Sequence, residues 1–196
     1  MNILIATENR HKVEELSAIF TGHELKTPGD CGIVYSHEED GMTFLENSLG
    51  KARTLRALSG GTAVLADDSG LVVPALDGEP GIYSARYGSD EKGRKLETPE
   101  RNRYLLDRME GAENREAFFV CCMVLLLSDD RFFVSQETLP GEITLEPRGE
   151  NGFGYDPLFF LKEYQRTVAE LPEDLKNRIS HRGRAAIRIK AILETL

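Results

Sequence analysis

Two neighbouring carboxylates, Asp67 and Asp68, close an apolar run at 62–66 and are followed at once by Ser69-Gly70. Adjacent side chains on an extended segment point to opposite sides, so one acid can face a cleft while the other faces structure. A cleft-facing carboxylate can ligate Mg²⁺ or accept a proton from an attacking water, and open α/β sheets place ligands at the carboxyl ends of their strands. The plainer reading is an Asx turn with both acids solvated. Mutual repulsion between the two acids favours a cation beside them. A second acidic group, Glu38-Glu39-Asp40-Gly41, offers hard oxygen donors suited to Mg²⁺ or Mn²⁺ and unsuited to soft metals. Taken alone it reads as an exposed charged turn.

Three further stretches carry basic, aromatic or small residues. Thr7-Glu8-Asn9-Arg10-His11-Lys12 lies between an apolar run and a helical pattern. Backbone N–H groups at a helix start attract phosphate, and Lys12 sits one turn in, able to reach the same anion. Taken alone, an N-cap at Thr7 with a solvated Lys12 explains it better; there is no Walker glycine pattern and no G-x-G-x-x-G. In Gly152-Phe153-Gly154-Tyr155-Asp156-Pro157 two glycines let the backbone approach a flat ligand. Phe153 could then stack on a base and Asp156 accept its hydrogen bonds. A structural turn with Phe153 and Tyr155 in the core fits that stretch equally well. Ser180-His181-Arg182-Gly183, with Lys176 upstream, supplies donors to a carbonyl-bearing base edge and would oppose an exocyclic amino group. Its plain alternative is a capped helix start with solvated basic residues.

Several elements must position these groups. Residues 2–6 read as a strand, and Val13, Leu16, Ile19 and Phe20 mark the helix after it. A second strand is expected at 33–36. Thr43 and Glu46 form a capping box that opens a helix to about Leu58, with Leu45, Leu49 and Ala52 as its buried face. Gly60-Gly61 ends it, residues 62–66 form the next strand, and 71–76 look extended. Thr98 as N-cap, with Pro99 at the first helical position, starts a helix to about Met109. Residues 115–128 and 131–138 flank Asp129-Asp130 as a hairpin. Residues 149–156 are a glycine-rich loop and 157–160 extended. A last helix, 183–196, turns Ile189, Ile192, Leu193 and Leu196 inward. Lys51 and Arg53 lie further along the capped helix, and spacing does not decide between phosphate and water for them.

The 196 residues suit one domain with one core, or one domain folded as two lobes. A net charge of -9 argues against a duplex-binding protein, which needs a broad basic face, but leaves room for a small anionic ligand in a local basic pocket. The longest apolar run, 117–127, is shorter than the ~18 residues of a membrane span and reads as a fully buried strand. The opening apolar run is too short for a signal peptide, so a cytoplasmic protein is expected. Three cysteines, Cys31, Cys121 and Cys122, with no C-x-x-C spacing, read as free thiols and neither a disulfide framework nor a zinc site.

Taken in order, Thr7-x-Asn9-x-x-Lys12, Thr43-Phe44-x-Glu46-Asn47, Ala66-Asp67-Asp68-Ser69-Gly70-Leu71, Gly81-x-Tyr83-Ser84-Ala85-Arg86-Tyr87, Gly152-Phe153-Gly154-Tyr155-Asp156-Pro157 and Ser180-His181-Arg182-Gly183 resemble the inosine triphosphate pyrophosphatase family. The resemblance runs from Ile3 to the last helix. It implies an α/β fold with an elongated mixed sheet flanked by helices, two lobes with a central cleft, a single domain over 1–196, and a homodimer. It implies hydrolysis of non-standard purine nucleoside triphosphates (ITP, dITP, XTP) to monophosphate and pyrophosphate. Asp68 matches the family's general base and metal ligand, and Glu39 the second ligand of Mg²⁺ or Mn²⁺. Thr7, Glu8, Asn9, Arg10, His11, Lys12 and Ser69 match nucleotide contacts, with Lys12 on the triphosphate. Phe153, Gly154, Tyr155, Asp156, Lys176, His181 and Arg182 match the base pocket. Glu8 departs from the small residue common there and is expected to face away from the phosphates or toward the metal.

Rival readings are a related pyrophosphatase for modified pyrimidine or methylated nucleotides, and a non-catalytic nucleotide sensor. A panel of triphosphates separates the first and an Asp68→Asn variant the second. A nucleic-acid or membrane partner is not expected.

Overall fold

Ile3, Leu4 and Ile5 are buried on both faces of the opening strand, β1 (Asn2–Ile5), as an apolar run without alternation requires. The computed structural model describes residues 2–196, with every side chain among them except that of Asp90. After β1 come α1 (Arg10–Ile19), β2 (Glu24–Lys26), α2 (Phe44–Leu58), β3 (Val64–Val72), α3 (Ser89–Lys92) and α4 (Thr98–Arg108). The chain continues through β4 (Glu116–Ser128), β5 (Arg131–Ile143), β6 (Phe159–Leu161), β7 (Arg166–Thr167), α5 (Glu173–Ile179) and α6 (His181–Leu193). The strands form one seven-stranded sheet in the order β2-β1-β3-β4-β5-β6-β7. β1 pairs in parallel with β2 and β3, whereas β6 pairs antiparallel with β5 and β7, so the sheet is mixed and the fold α/β. No helix of the described residues is long and apolar enough to cross a membrane.

The chain forms two compact units, one of Met1–Ser69, Cys121–Glu137 and Ile179–Leu196, the other of Gly70–Val120 and Thr138–Arg178. In the first, strand periodicity sorts the core onto two faces. Ile3, Ile5, Leu65, Cys121, Met123 and Leu125 pack with Leu16 of α1, with Phe20 just after it, and with Ala185, Ala186, Ile189 and Leu193 of α6. Leu4, Ala6, Val64, Ala66, Val124 and Leu126 pack with Ala52 and Leu55 of α2. Each fully buried aliphatic side chain there contributes about 1.5–3 kcal/mol of transfer free energy. In the second unit Phe119 stacks on Phe159 at 4.3 Å, and the Arg115 guanidinium donates to the carbonyls of Ile143 (2.7 Å) and Thr144 (2.9 Å).

The apolar run 117–127 lies in a buried strand, and Asp129-Asp130 turn the β4–β5 hairpin, as expected. Other expectations need correction. Residues 33–36 form no strand, and β2 lies earlier, at Glu24–Lys26. The strand after α2 does not stop at Ala66; β3 runs on through Asp67, Asp68, Ser69 and Gly70 to Val72, because both faces stay covered there. Leu45 is exposed, whereas Ala52 is buried and Leu49 packs partly buried as expected, and the buried face of α2 also takes in Asn47, Ser48, Lys51 and Leu55. Glu46 accepts from the Met42 amide, one residue before the N-cap Thr43. Glu97, not Thr98, is the N-cap of α4. β5 extends past Thr138 to Ile143. Residues 156–158 form a single 3₁₀ turn ahead of β6. α6 begins at His181 and ends at Leu193, leaving Leu196 exposed.

Candidate functional site

The parity that sorts the core also sorts the acids of β3. Leu65 belongs to the face shared with α1 and α6 and Ala66 to the face shared with α2. Asp67 therefore meets Lys12 of α1 and Arg182 of α6, and Asp68 meets Asn47 and Lys51 of α2. The expectation that neighbouring acids face opposite sides holds, inside the strand and not at its end.

On the first face, Lys12 Nζ donates to Asp67 Oδ2 at 2.9 Å, Ser69 Oγ donates to the same oxygen at 3.1 Å, and Arg182 Nε lies 3.3 Å from it. Arg182 also donates to Glu15 Oε2 at 2.8 Å and to Ser69 Oγ at 2.7 Å. Burial pushes the Asp67 carboxyl up, but Lys12, Arg182 and Lys51 outweigh it and hold the group well below the usual carboxylate range. Burial would lower the Arg182 guanidinium, and Asp67 and Glu15 instead raise it. Asp67 is thus a fixed anion that aims the Lys12 ammonium from behind the α1 N-terminus. There Asn9, not Thr7, is the N-cap, accepting from the amides of His11 (3.1 Å) and Lys12 (3.4 Å), while Thr7 Oγ1 accepts from Asn9 N. Glu8, Asn9, Arg10 and His11 are exposed, and Thr7 and Lys12 half-buried.

On the second face, Lys51 Nζ donates to Glu39 Oε1 at 2.6 Å and to Asp68 Oδ1 at 3.3 Å. The two acids, far apart in sequence, share one ammonium. Asn47 Nδ2 donates to Asp68 Oδ2 at 3.2 Å. Burial raises the Asp68 carboxyl; Lys51 lowers it, Glu39 raises it, and the net displacement is upward. Lys51 is raised: burial lowers it, but Asp68, Asp67 and Glu39 prevail. A carboxylate held above its ordinary range and next to a cation is suited to take a proton from water.

A cation shared by Glu39 and Asp68 tests whether a divalent metal suits the site. Both are hard oxygen donors converging on one positive charge, which fits Mg²⁺ or Mn²⁺. Among the described residues no third His, Cys, Asp or Glu completes a protein cage. Mg²⁺ needs none, since it keeps waters and substrate phosphates with one or two carboxylates.

In the second unit Lys176 Nζ donates to Asp156 Oδ2 at 2.7 Å and stands 4.8 Å above the Phe153 ring. The Phe153 amide donates to the same Asp156 oxygen at 2.9 Å. Gly152, at φ 72, passes so close to Asp156 Oδ2 that a Cβ would collide with it. Gly154 O accepts from Asn102 Nδ2 at 3.0 Å. Tyr155 is buried, its hydroxyl donating to Ser84 O at 2.9 Å, and burial pushes its phenol up. In the first unit, His181 is buried at the first turn of α6, where Ser180 Oγ accepts from the Gly183 amide at 3.0 Å.

Sequence reasoning left Lys51 undecided and did not single out Glu15 as a site residue. Asn47 appeared only inside a motif. Each is a polar side chain on a helix face that buries it (Glu15 at 8% exposure, Asn47 at 1%), and hydrophobic periodicity passes over such residues. Cys121 and Cys122 lie buried on β4, and Cys31 is exposed. Burial, with Asp68 and Asp67 adding to it, pushes the Cys122 thiol up to about 11.

Comparison with known proteins agrees with the motifs. The model of the Ham1 family matches residues 3–192. The dITP/XTP pyrophosphatase of Treponema denticola is 44% identical over 194 residues, covering 99% of each chain. That of Legionella pneumophila (strain Paris) is 44% identical over 195 residues, covering 97% of each. Among solved structures, a HAM1 protein from Coxiella burnetii aligns with a TM-score of 0.89 at 36% identity over 100% of both chains. The Staphylococcus aureus Ham1 protein aligns with a TM-score of 0.86 at 37% identity over 100% of this chain and 99% of its own.

Proposed function

The chain belongs to the Ham1 family, and on that premise we propose that it hydrolyses non-standard purine nucleoside triphosphates (ITP, dITP and XTP) to the monophosphate and pyrophosphate. The relatives named dITP/XTP pyrophosphatase support the substrate class. The observation that carries the chemistry is the convergence of Glu39 and Asp68 on one ammonium.

In this reading Glu39 and Asp68 hold Mg²⁺ or Mn²⁺. Held there, the ion would supply Lewis-acid withdrawal of charge from phosphate oxygens. Asp68 accepts a proton from water, whose oxygen bonds to the α-phosphorus as the bond to the bridging oxygen breaks. Lys12 and Lys51 neutralise the departing pyrophosphate, and the segment from Thr7 to Lys12, with Ser69, takes the triphosphate as the resemblance implies. Phe153, Gly154, Tyr155 and Asp156 take the base, with Lys176 donating to a 6-oxo group that ATP lacks. His181 is assigned to the nucleotide by the resemblance. Arg182, its guanidinium bonded to Glu15, Asp67 and Ser69, serves the same reaction by positioning Asp67 and, through it, Lys12. The single-domain chain acts as a cytoplasmic homodimer without nucleic acid or membrane partners.

Incubation with XTP or ITP and Mg²⁺ tests this directly. Pyrophosphate is the expected first product, and orthophosphate first would mean attack at the γ-phosphorus and a different enzyme. A non-catalytic sensor would bind the nucleotide without turnover, whereas Asp68→Asn is expected to bind it and lose turnover.

A further inference from the structure

The segment that brings Glu39 to Asp68 belongs to no strand or helix. From Ile33 to Met42 its side chains alternate, with Ile33, Tyr35, His37 and Glu39 half-buried and Val34, Ser36, Glu38, Asp40 and Met42 exposed. This is the period of extended backbone, and every second residue from Tyr35 to Gly41 is tied to α2. Tyr35 Oη donates to Lys51 O at 3.3 Å, and His37 Nδ1 shares a hydrogen bond with Thr54 Oγ1 at 2.9 Å. Glu39 accepts from Lys51 at 2.6 Å, and the Gly41 amide donates to Asn47 Oδ1 at 2.9 Å. α2 is therefore the bed on which the segment lies.

Two glycines make the close approach possible. A Cβ on Gly41 would stand 2.6 Å from Asn47 Oδ1. Gly50 is the less expected of the two, since it lies inside α2, where alanine is the better helix former. A Cβ there would stand 2.9 Å from His37 Nε2 and 3.1 Å from Cε1, so the imidazole rests directly on the helix backbone. His37 is two residues from Glu39 on the same side of the extended segment.

We infer that the His37 ring, seated on Gly50 and held by Thr54, is the positioning device that sets Glu39 against Asp68, and that Gly50 is present to admit it. The inference rests on Glu39 being a metal ligand. Groups that orient a ligand typically change metal affinity 10- to 100-fold when lost. His37 touches neither metal nor substrate in this role; it acts through the path of the chain.

The experiment compares Gly50→Ala, His37→Ala, the double variant and Glu39→Gln. Three quantities are measured: the half-saturating Mg²⁺ for XTP hydrolysis, the hydrogen exchange of the Gly41 amide without metal, and the melting temperature. Gly50→Ala is expected to raise the half-saturating Mg²⁺ about tenfold and to speed exchange at Gly41, while melting no lower than the parent. The double variant is expected to need no more Mg²⁺ than His37→Ala alone, because the added methyl has no ring to displace. A Gly50→Ala protein within about twofold of the parent in both Mg²⁺ need and exchange, beside a Glu39→Gln protein with a raised need, would overturn the seat and leave the metal reading standing. Independent, multiplying effects of the two single changes would also overturn it. An unchanged Mg²⁺ need in Glu39→Gln would remove the metal reading and this inference together.

Discussion

Asp67 and Asp68 are consecutive buried residues of one strand, and their surroundings drive them apart. On the α1–α6 face, Asp67 is gripped by two cations and a hydroxyl and is an anion at any ordinary pH. On the α2 face, Asp68 shares a single ammonium with a second carboxylate, and burial prevails. The first is too firmly ionised to hold a proton. The second gains from receiving one. Residue type therefore does not assign the role; the count of charges packed against each side of β3 does.

The largest expected effect falls on the α2 side. Asp68→Asn should lower kcat about 10³-fold or more while leaving the melting temperature unchanged or raised. An ionised carboxylate whose folded-state value is raised costs stability at neutral pH, and the cost disappears as pH falls toward its ordinary 3.8. A clear loss of stability in Asp68→Asn would erase the contrast. Next in size, Asp67→Asn should cost about 3 kcal/mol in urea unfolding, since it leaves the half-buried Lys12 without its carboxylate and the buried Arg182 with Glu15 alone. Its pH signature is opposite in sign. The folded-state value is depressed, so the contribution is complete above 3.8 and is lost only as pH falls toward that lower value. Urea midpoints of parent and variant should hence differ by a constant amount from neutral pH down to about 4 and converge below it. Smaller again, Lys176→Met in the second unit should reduce the preference for XTP over ATP by about tenfold in kcat/KM. A loss shared equally by both substrates would give Lys176 a structural role alone.

Where side chains obey one physical rule, the sequence was readable. The unbroken apolar run of β4 and the Asp129-Asp130 turn led to the right hairpin, and Thr43 marks the start of α2 as the N-cap rule requires. Reading failed where the site itself breaks the rule. The inward face of α2 carries Asn47, Ser48 and Lys51, so periodicity selected Leu45, which is exposed. The 33–36 stretch has strand-like alternation but pairs with no strand; Ile33 N donates to Pro28 O and the Tyr35 hydroxyl to Lys51 O of α2, partners that no local pattern announces. α5 is too short for its period to stand out, and the three residues of β2 carry no distinctive signal. The motifs named Lys12, Glu39, Asp67 and Asp68. That Asn47 holds Asp68, and Glu15 holds the Arg182 that braces Asp67, depends on contacts between distant elements.

The three thiols give the folded chain a built-in gauge of its own integrity. Cys121 and Cys122 are shut inside β4 and Cys31 stands in the open, so an alkylating reagent should find one target in the native protein and the remaining two only after global unfolding. Counting modified sulfurs against denaturant concentration would then follow opening of the central strand without any added label, in a protein that has no tryptophan to report it.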